Sequence, residues 1–150
     1  MSLAKHLARQ STCVAQFILL LEDEARLLAA GKVDGSQLSE LAARKQALLG
    51  DIAQMESQRQ YAQSRLGYGD DRMGAERAAA EAGCLATWQQ LLEQASRAQM
   101  LNRLNGESVR TRLEHNQRML NFLHEAAGQG LYGSDGQARR GSLASIDSRA

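Results

Sequence analysis

Apolar residues recur along most of the chain at alternating spacings of four and three. That is the heptad rhythm of helices that pack in coiled-coil style. In the first segment it runs Leu7, Ser11, Val14, Ile18, Leu21, Ala25 and Leu28. It predicts a helix over 2–30, capped by Ser2 and stopped by Gly31. Lys32-Val33-Asp34-Gly35 reads as a turn. A second helix over 36–66, capped by Asp34 or Ser36, carries Leu41, Lys45, Leu48, Ile52, Met55, Arg59, Ala62 and Leu66. Lys45 and Arg59 fit such a seam if their stems snorkel past it. A short turn between two long amphipathic helices makes them antiparallel neighbours.

The rhythm breaks at Gly67-Tyr68-Gly69-Asp70-Asp71 and resumes as a third helix over 75–127. Its seam reads Leu85, Trp88, Leu92, Ala95, Gln99, Asn102, Gly106, Val109, Leu113, Asn116, Leu120, Leu123 and Ala127. Asn105-Gly106 is a turn dipeptide, yet the phase holds across it, so continuity is expected there. From Gly128 glycines crowd the chain, and the sizeable apolar residues reduce to Leu131, Tyr132, Leu143 and Ile146. The stretch 128–150 reads as a flexible, Gly-rich tail. The fold class is all-α: an antiparallel, coiled-coil-like bundle of three long helices over 1–127, followed by that tail.

Composition narrows the picture further. There is no proline, and aromatics make up 4% of the chain. Val and Ile together occur only at Val14, Ile18, Val33, Ile52, Val109 and Ile146, too few for a packed sheet. The charges nearly cancel, at +1, and the signs are interspersed along the chain, so no basic footprint for nucleic acid appears. The longest apolar run, Phe17–Leu21, is far short of a membrane span. No apolar leader opens the sequence, and Cys13 and Cys84 stand in no metal or redox spacing. A reduced, cytoplasmic setting is the simplest expectation.

No catalytic constellation emerges. His124-Glu125 starts a zinc-helix pattern, but Gly128 stands where the second His belongs. Gly128-x-Gly130-x-x-Gly133 has the letters of a dinucleotide fingerprint without the strand before it or the helix after it. His115 and His124 are the phosphotransfer candidates, with Arg118 one turn beyond His115 to steady a phosphate, and a solvated helix face explains these residues as well. Glu22, Asp23 and Glu24 are contiguous on a helix and point in different directions. No enzyme activity, cofactor or metal is expected.

What remains is surface. Two helices of about 30 residues cannot cover one of about 50. An apolar stripe at Val109, Leu113, Met119, Leu120 and Leu123, with Phe122 nearby, is therefore left over. It suits a partner's amphipathic helix, with Asn102, Asn105 and Asn116 setting register. Tyr132, an aromatic in a polar tail, is a further anchor candidate. The alternative cover is a second copy, giving weak self-association or, in a structural coiled-coil protein, a permanent homo-oligomer.

Three stretches also carry a resemblance. They are Leu41-Ala42-Ala43-Arg44-Lys45-Gln46-Ala47-Leu48-Leu49 after the acidic end of the first helix; Leu101-Asn102-Arg103-Leu104-Asn105-Gly106 leading into Leu113, His115-Asn116-Gln117 and Leu120; and Leu131-Tyr132-Gly133-Ser134-Asp135-Gly136-Gln137. Together they resemble the FlgN family of bacterial flagellar export chaperones. The resemblance implies a cytosolic, non-catalytic helical protein. Such a protein holds the C-terminal helical segments of hook-associated (hook–filament junction) proteins and passes them to the type III export gate. It places client binding in the C-terminal half, which matches the leftover stripe of Val109, Leu113, Asn116, Met119, Leu120 and Leu123, with Tyr132 expected to contact the client or the export gate. The Gly69–Gly74 loop has no counterpart in the family pattern.

Overall fold

The structure, a computed structural model, describes residues 2–31 and 34–131. The chain divides into two compact units, residues 1–106 and 107–150. Four helices account for the secondary structure of the described residues: α1 (Leu3–Ala29), α2 (Gly35–Arg65), α3 (Arg72–Glu81) and α4 (Leu85–Leu131). The protein is all-α, as its strong helix formers dictate.

The starts of α1, α2 and α3 are capped by a side-chain oxygen that takes otherwise unpaired helix N–H groups. Ser2 accepts from Lys5 N, Asp34 from Ser36 N and Gln37 N, and Asp71 from Gly74 N. Asp34, rather than Ser36, is therefore the cap of α2. The helix ends differ from expectation at several places. Gly31 does not adopt a left-handed conformation, and α1 stops because Ala30 turns to extended backbone. The third helix expected over 75–127 is two helices, α3 and α4. Gly83 lies at φ +74°, where residues with a Cβ are strained. Gly83 N bonds Ala80 O at 3.1 Å and Cys84 N bonds Ala79 O at 2.8 Å, the pairing that closes a helix at a left-handed glycine. Beyond that stop α4 runs through Asn105-Gly106 and Gly128 to Leu131, past the expected end at Ala127. Residues 132–150, and the expected tail with Tyr132, lie outside the described residues.

Within the first unit α1 and α2 run in opposite directions: His6 bonds Met55 O at 2.9 Å and Glu24 pairs with Lys45. The first part of α4 runs with α1, since Ser11 meets Gln94 and Glu24 meets Asn105. The core is built from Leu7, Val14, Phe17 and Leu21 of α1, Ala75 and Ala79 of α3, and Trp88, Leu91 and Ala98 of α4. The buried stripe of α1 therefore includes Gln10, Phe17 and Glu24, where the apolar rhythm placed Ser11, Ile18 and Ala25. On α4 it passes through Leu91, Ala98 and Asn105, one position earlier than the expected Leu92, Gln99 and Gly106. On α2 the stripe ends in buried Gln63, leaving Ala62 and Leu66 exposed. In both α1 and α4 the true seam includes polar residues, which a search for apolar letters steps over.

Arg59 does not snorkel. It is buried, its Nε donates to Glu56 Oε1 at 2.9 Å and its NH1 to Gln63 Oε1 at 2.6 Å. Its guanidinium lies 4.7 Å from the centre of the Trp88 ring, within cation–π range. Gln63 in turn donates to Gly69 O and Asp71 O, both at 3.1 Å, and so holds the α2–α3 loop. Burial pushes the Glu56 carboxyl up, but hydrogen bonds from Arg59, Gln10 and Gln60 outweigh it and hold the group below the usual glutamate value. Burial raises both thiols, Cys13 with help from Asp51, which suits inert core cysteines.

Two outcomes follow from this packing. A Cβ on Gly74 would stand 2.0 Å from Tyr68 O, a backbone atom, whereas one on Gly106 would meet nothing within 4 Å. Gly74→Ala should lose about 2–3 kcal/mol of stability, and Gly106→Ala should gain about 0.5–1 kcal/mol, both read from urea unfolding midpoints. The lowered Glu56 carboxyl stabilises the fold above its unfolded value, and that contribution disappears as pH falls through the folded value. Glu56→Gln should therefore flatten the loss of stability below about pH 5, measured as thermal midpoint against pH.

Candidate functional site

The binding surface expected from the sequence lies on the second unit, whose described part is the C-terminal portion of α4, residues 107–131. At roughly 100° per residue, Val109, Leu113, Asn116, Leu120 and Leu123 fall within a sector of about 80°, and Met119 widens it to about 120°. Phe122 flanks that sector. All these residues are exposed, Leu113 at 63% and Phe122 at 62%. The helix is amphipathic here and its apolar face is bare. Contiguous exposure of large apolar side chains makes this face a candidate interaction surface. An Arg110–Glu114 pair at 3.7 Å and a Gln117–Asn121 bond at 3.0 Å lie along this stretch, one turn apart each, and support the helix locally.

In the first unit a polar cluster fixes how α4 sits on α1 and α2. Glu24 is buried on α1. Its Oε1 accepts from Asn105 Nδ2 at 2.9 Å and from Lys45 Nζ at 3.1 Å. Asn105 Nδ2 also donates to Leu21 O at 2.8 Å, and Lys45 Nζ to Asn102 Oδ1 at 2.9 Å. One carboxylate thus joins three helices through donors that reach it only at one axial alignment. Lys45 is an ion-pair partner rather than a snorkelling stem. Arg97 adds a rim contact to Glu22 at 2.9 Å.

The three register asparagines separate accordingly. Asn105 is buried in the cluster, Asn102 is exposed and accepts from Lys45, and Asn116 is exposed on the stripe. Glu24 was invisible as a site residue, since its acidic neighbours read as a solvated face; the one available signal was its position three residues after Leu21 in the heptad. His115, Arg118 and His124 are exposed. Among the described residues no group of three or more His, Cys, Asp or Glu side chains is placed to hold a metal ion. No helix among them is long and apolar enough to cross a membrane.

Comparison with known proteins extends this picture. A family model described as "FlgN protein" matches residues 1–140. The flagella synthesis protein FlgN of Salmonella typhimurium is 29% identical over 135 residues, which cover 90% of this chain and 89% of the relative. The protein of the same name from Proteus mirabilis is 30% identical over 125 residues, covering 83% and 82%. That from Yersinia enterocolitica is 28% identical over 145 residues, covering 94% and 92%. No solved structure gives a significant match.

The cluster makes its own prediction. Lys45→Met leaves the buried Glu24 carboxylate without its cation. The expected loss is about 2–3 kcal/mol, at the low end for a broken buried pair because Lys45 keeps some solvent contact. The double variant Glu24→Gln, Lys45→Met should recover most of it, as read by urea unfolding.

Proposed function

The chain belongs to the FlgN family, whose curated relatives are flagella synthesis proteins, and from that premise we propose that it is a flagellar export chaperone. It acts in the cytoplasm, holds the C-terminal helical segments of hook-associated proteins and delivers them to the type III export gate. One observation carries this reading: the exposed apolar stripe from Val109 to Leu123. A stripe of that width on a helix is one half of a helix-to-helix contact. Its client supplies the other half as an amphipathic segment.

The chemistry of the stripe suits transient binding. Leu113, Leu120 and Leu123 supply apolar area, and Met119 adapts to differently shaped neighbours. Asn116, in the middle of the face, penalises misaligned clients because its amide must find a partner. Tyr132, which lies outside the described residues, is assigned to the same partner-binding role. No activity of the protein requires a cofactor under this reading.

The test is a calorimetric titration with the C-terminal segment of a hook-associated protein. Leu113→Asp with Leu120→Asp should weaken the complex at least tenfold. Both positions are exposed, so unfolding stability should stay within about 0.5 kcal/mol of the parent. Unchanged affinity would rule the stripe out as the client site. A concentration-independent multimer whose assembly needs Leu113 and Leu120 would favour a structural coiled-coil role instead.

A further inference from the structure

The exposed stripe of α4 is bordered by charge of one sign. With Val109 as its centre line and roughly 100° per residue, Arg112 and His124 stand about 60° to either side. Farther out, Arg110 lies about 100° away on the His124 side and His115 about 120° away on the Arg112 side. Each flank therefore carries one arginine and one histidine. Glu107, Glu114 and Glu125, the carboxylates of residues 107–131, all fall about 140–160° from the centre, on the far face with Arg118. Three arginines and three glutamates make the segment neutral in sum. Its layout is not neutral, because every ionisable group beside the apolar face is basic.

That layout selects among occupants. Arg110 and Arg112 stand where flanking side chains meet in a contact between two helices, beside the apolar seam. Arg110 pairs with Glu114 at 3.7 Å, and Arg112 has an interaction of its own. A guanidinium carries five N–H donors, so one contact does not exhaust it. A second copy would bring the same arginines to the same edges, and like charges across an interface repel. Residues 132–150 contain three arginines and two aspartates, which is no acidic complement either. An anionic lipid surface suits a helix with a cationic polar face and a purely apolar one. Here Asn116 stands within the stripe and the far face carries all three glutamates. The occupant that matches both the apolar centre and the basic edges is a helix with acidic edges.

We propose that the stripe takes an amphipathic helical segment of a partner whose apolar face is flanked on both sides by carboxylates. This rests on the reading of the stripe as a client site and adds which clients it selects. The apolar contact supplies affinity. The arginine edges discriminate, since charge at the rim of an interface sets specificity more than strength. Such edge pairs are exposed, so salt screens them.

The experiment titrates the full-length protein with three labelled peptides and follows fluorescence anisotropy. The peptides share one amphipathic sequence of about three heptads with a leucine seam. Their flanking positions are all Glu, all Gln or all Lys, residues of similar helix propensity. The Glu peptide should bind about tenfold tighter than the Lys peptide, with the Gln peptide between, and the gap should narrow in high salt. Arg110→Gln with Arg112→Gln should shrink the gap to about twofold, while Arg118→Gln, on the far face, should keep it. Circular dichroism checks that each variant is folded. Equal binding of all three peptides, lost in Leu113→Asp with Leu120→Asp, overturns the charge selection and leaves the client stripe standing. Binding by none of them overturns it too, and the client reading falls with it only if the hook-associated segment is also unbound. Loss of the preference in Arg118→Gln would assign it to net charge rather than to the edges. Capture by vesicles of phosphatidylglycerol and phosphatidylcholine, with no preference among the peptides, would make the face a lipid contact and overturn the proposal.

Discussion

A carboxylate removed from water must be met by donors on every open side, and Glu24 obtains them from two other helices. Lys45 of α2 and Asn105 of α4 converge on the same oxygen, and Asn105 also ties to the Leu21 carbonyl. An apolar seam tolerates sliding, because one leucine against another costs little more than the next. This cluster does not, since displacement by a residue leaves a buried charge unpaired. It is the contact that converts three amphipathic helices into one alignment. The Arg59 cluster performs the same task at the opposite end of the hairpin, joining Gln10, Glu56, Gln63 and the α2–α3 loop beside Trp88.

The distribution of apolar surface then divides the molecule by role. In the first unit Leu7, Phe17 and Leu21 of α1 and Trp88 and Leu91 of α4 turn inward, and the seam residues Glu24 and Asn105 are paired within the protein. In the described part of the second unit large apolar side chains face solvent and Asn116 has no core to join. In the proposed reading, a polar-locked unit and a helix with an exposed apolar face meet the two demands on a binding protein: a stable scaffold, and apolar area that costs little to hand over.

Much of the fold was legible before any coordinates. The heptad rhythm located α1 and α2 to within a residue or two, Ser2 and Asp34 could be recognised as caps, and Trp88 stood out as core. The exposed stripe followed from counting helix lengths alone. The division between α3 and α4 did not, because the apolar phase does not record a stop made by backbone conformation at Gly83. Gln10, Glu24 and Gln63 were also missed as core, and Arg59 was placed on the seam only as a snorkelling stem. Their letters signal solvent, and only a partner brought from elsewhere in the chain reverses that meaning.

By itself the sequence determined the all-α class, the ends of α1 and α2 and the apolar side chains that stand exposed along the C-terminal part of α4. These are local quantities, set by propensity, capping chemistry and periodicity over neighbouring residues. The seam and the alignment of the helices were decided by tertiary structure alone. Both depend on which distant groups meet: a polar residue becomes core when Lys45 or Asn105 arrives.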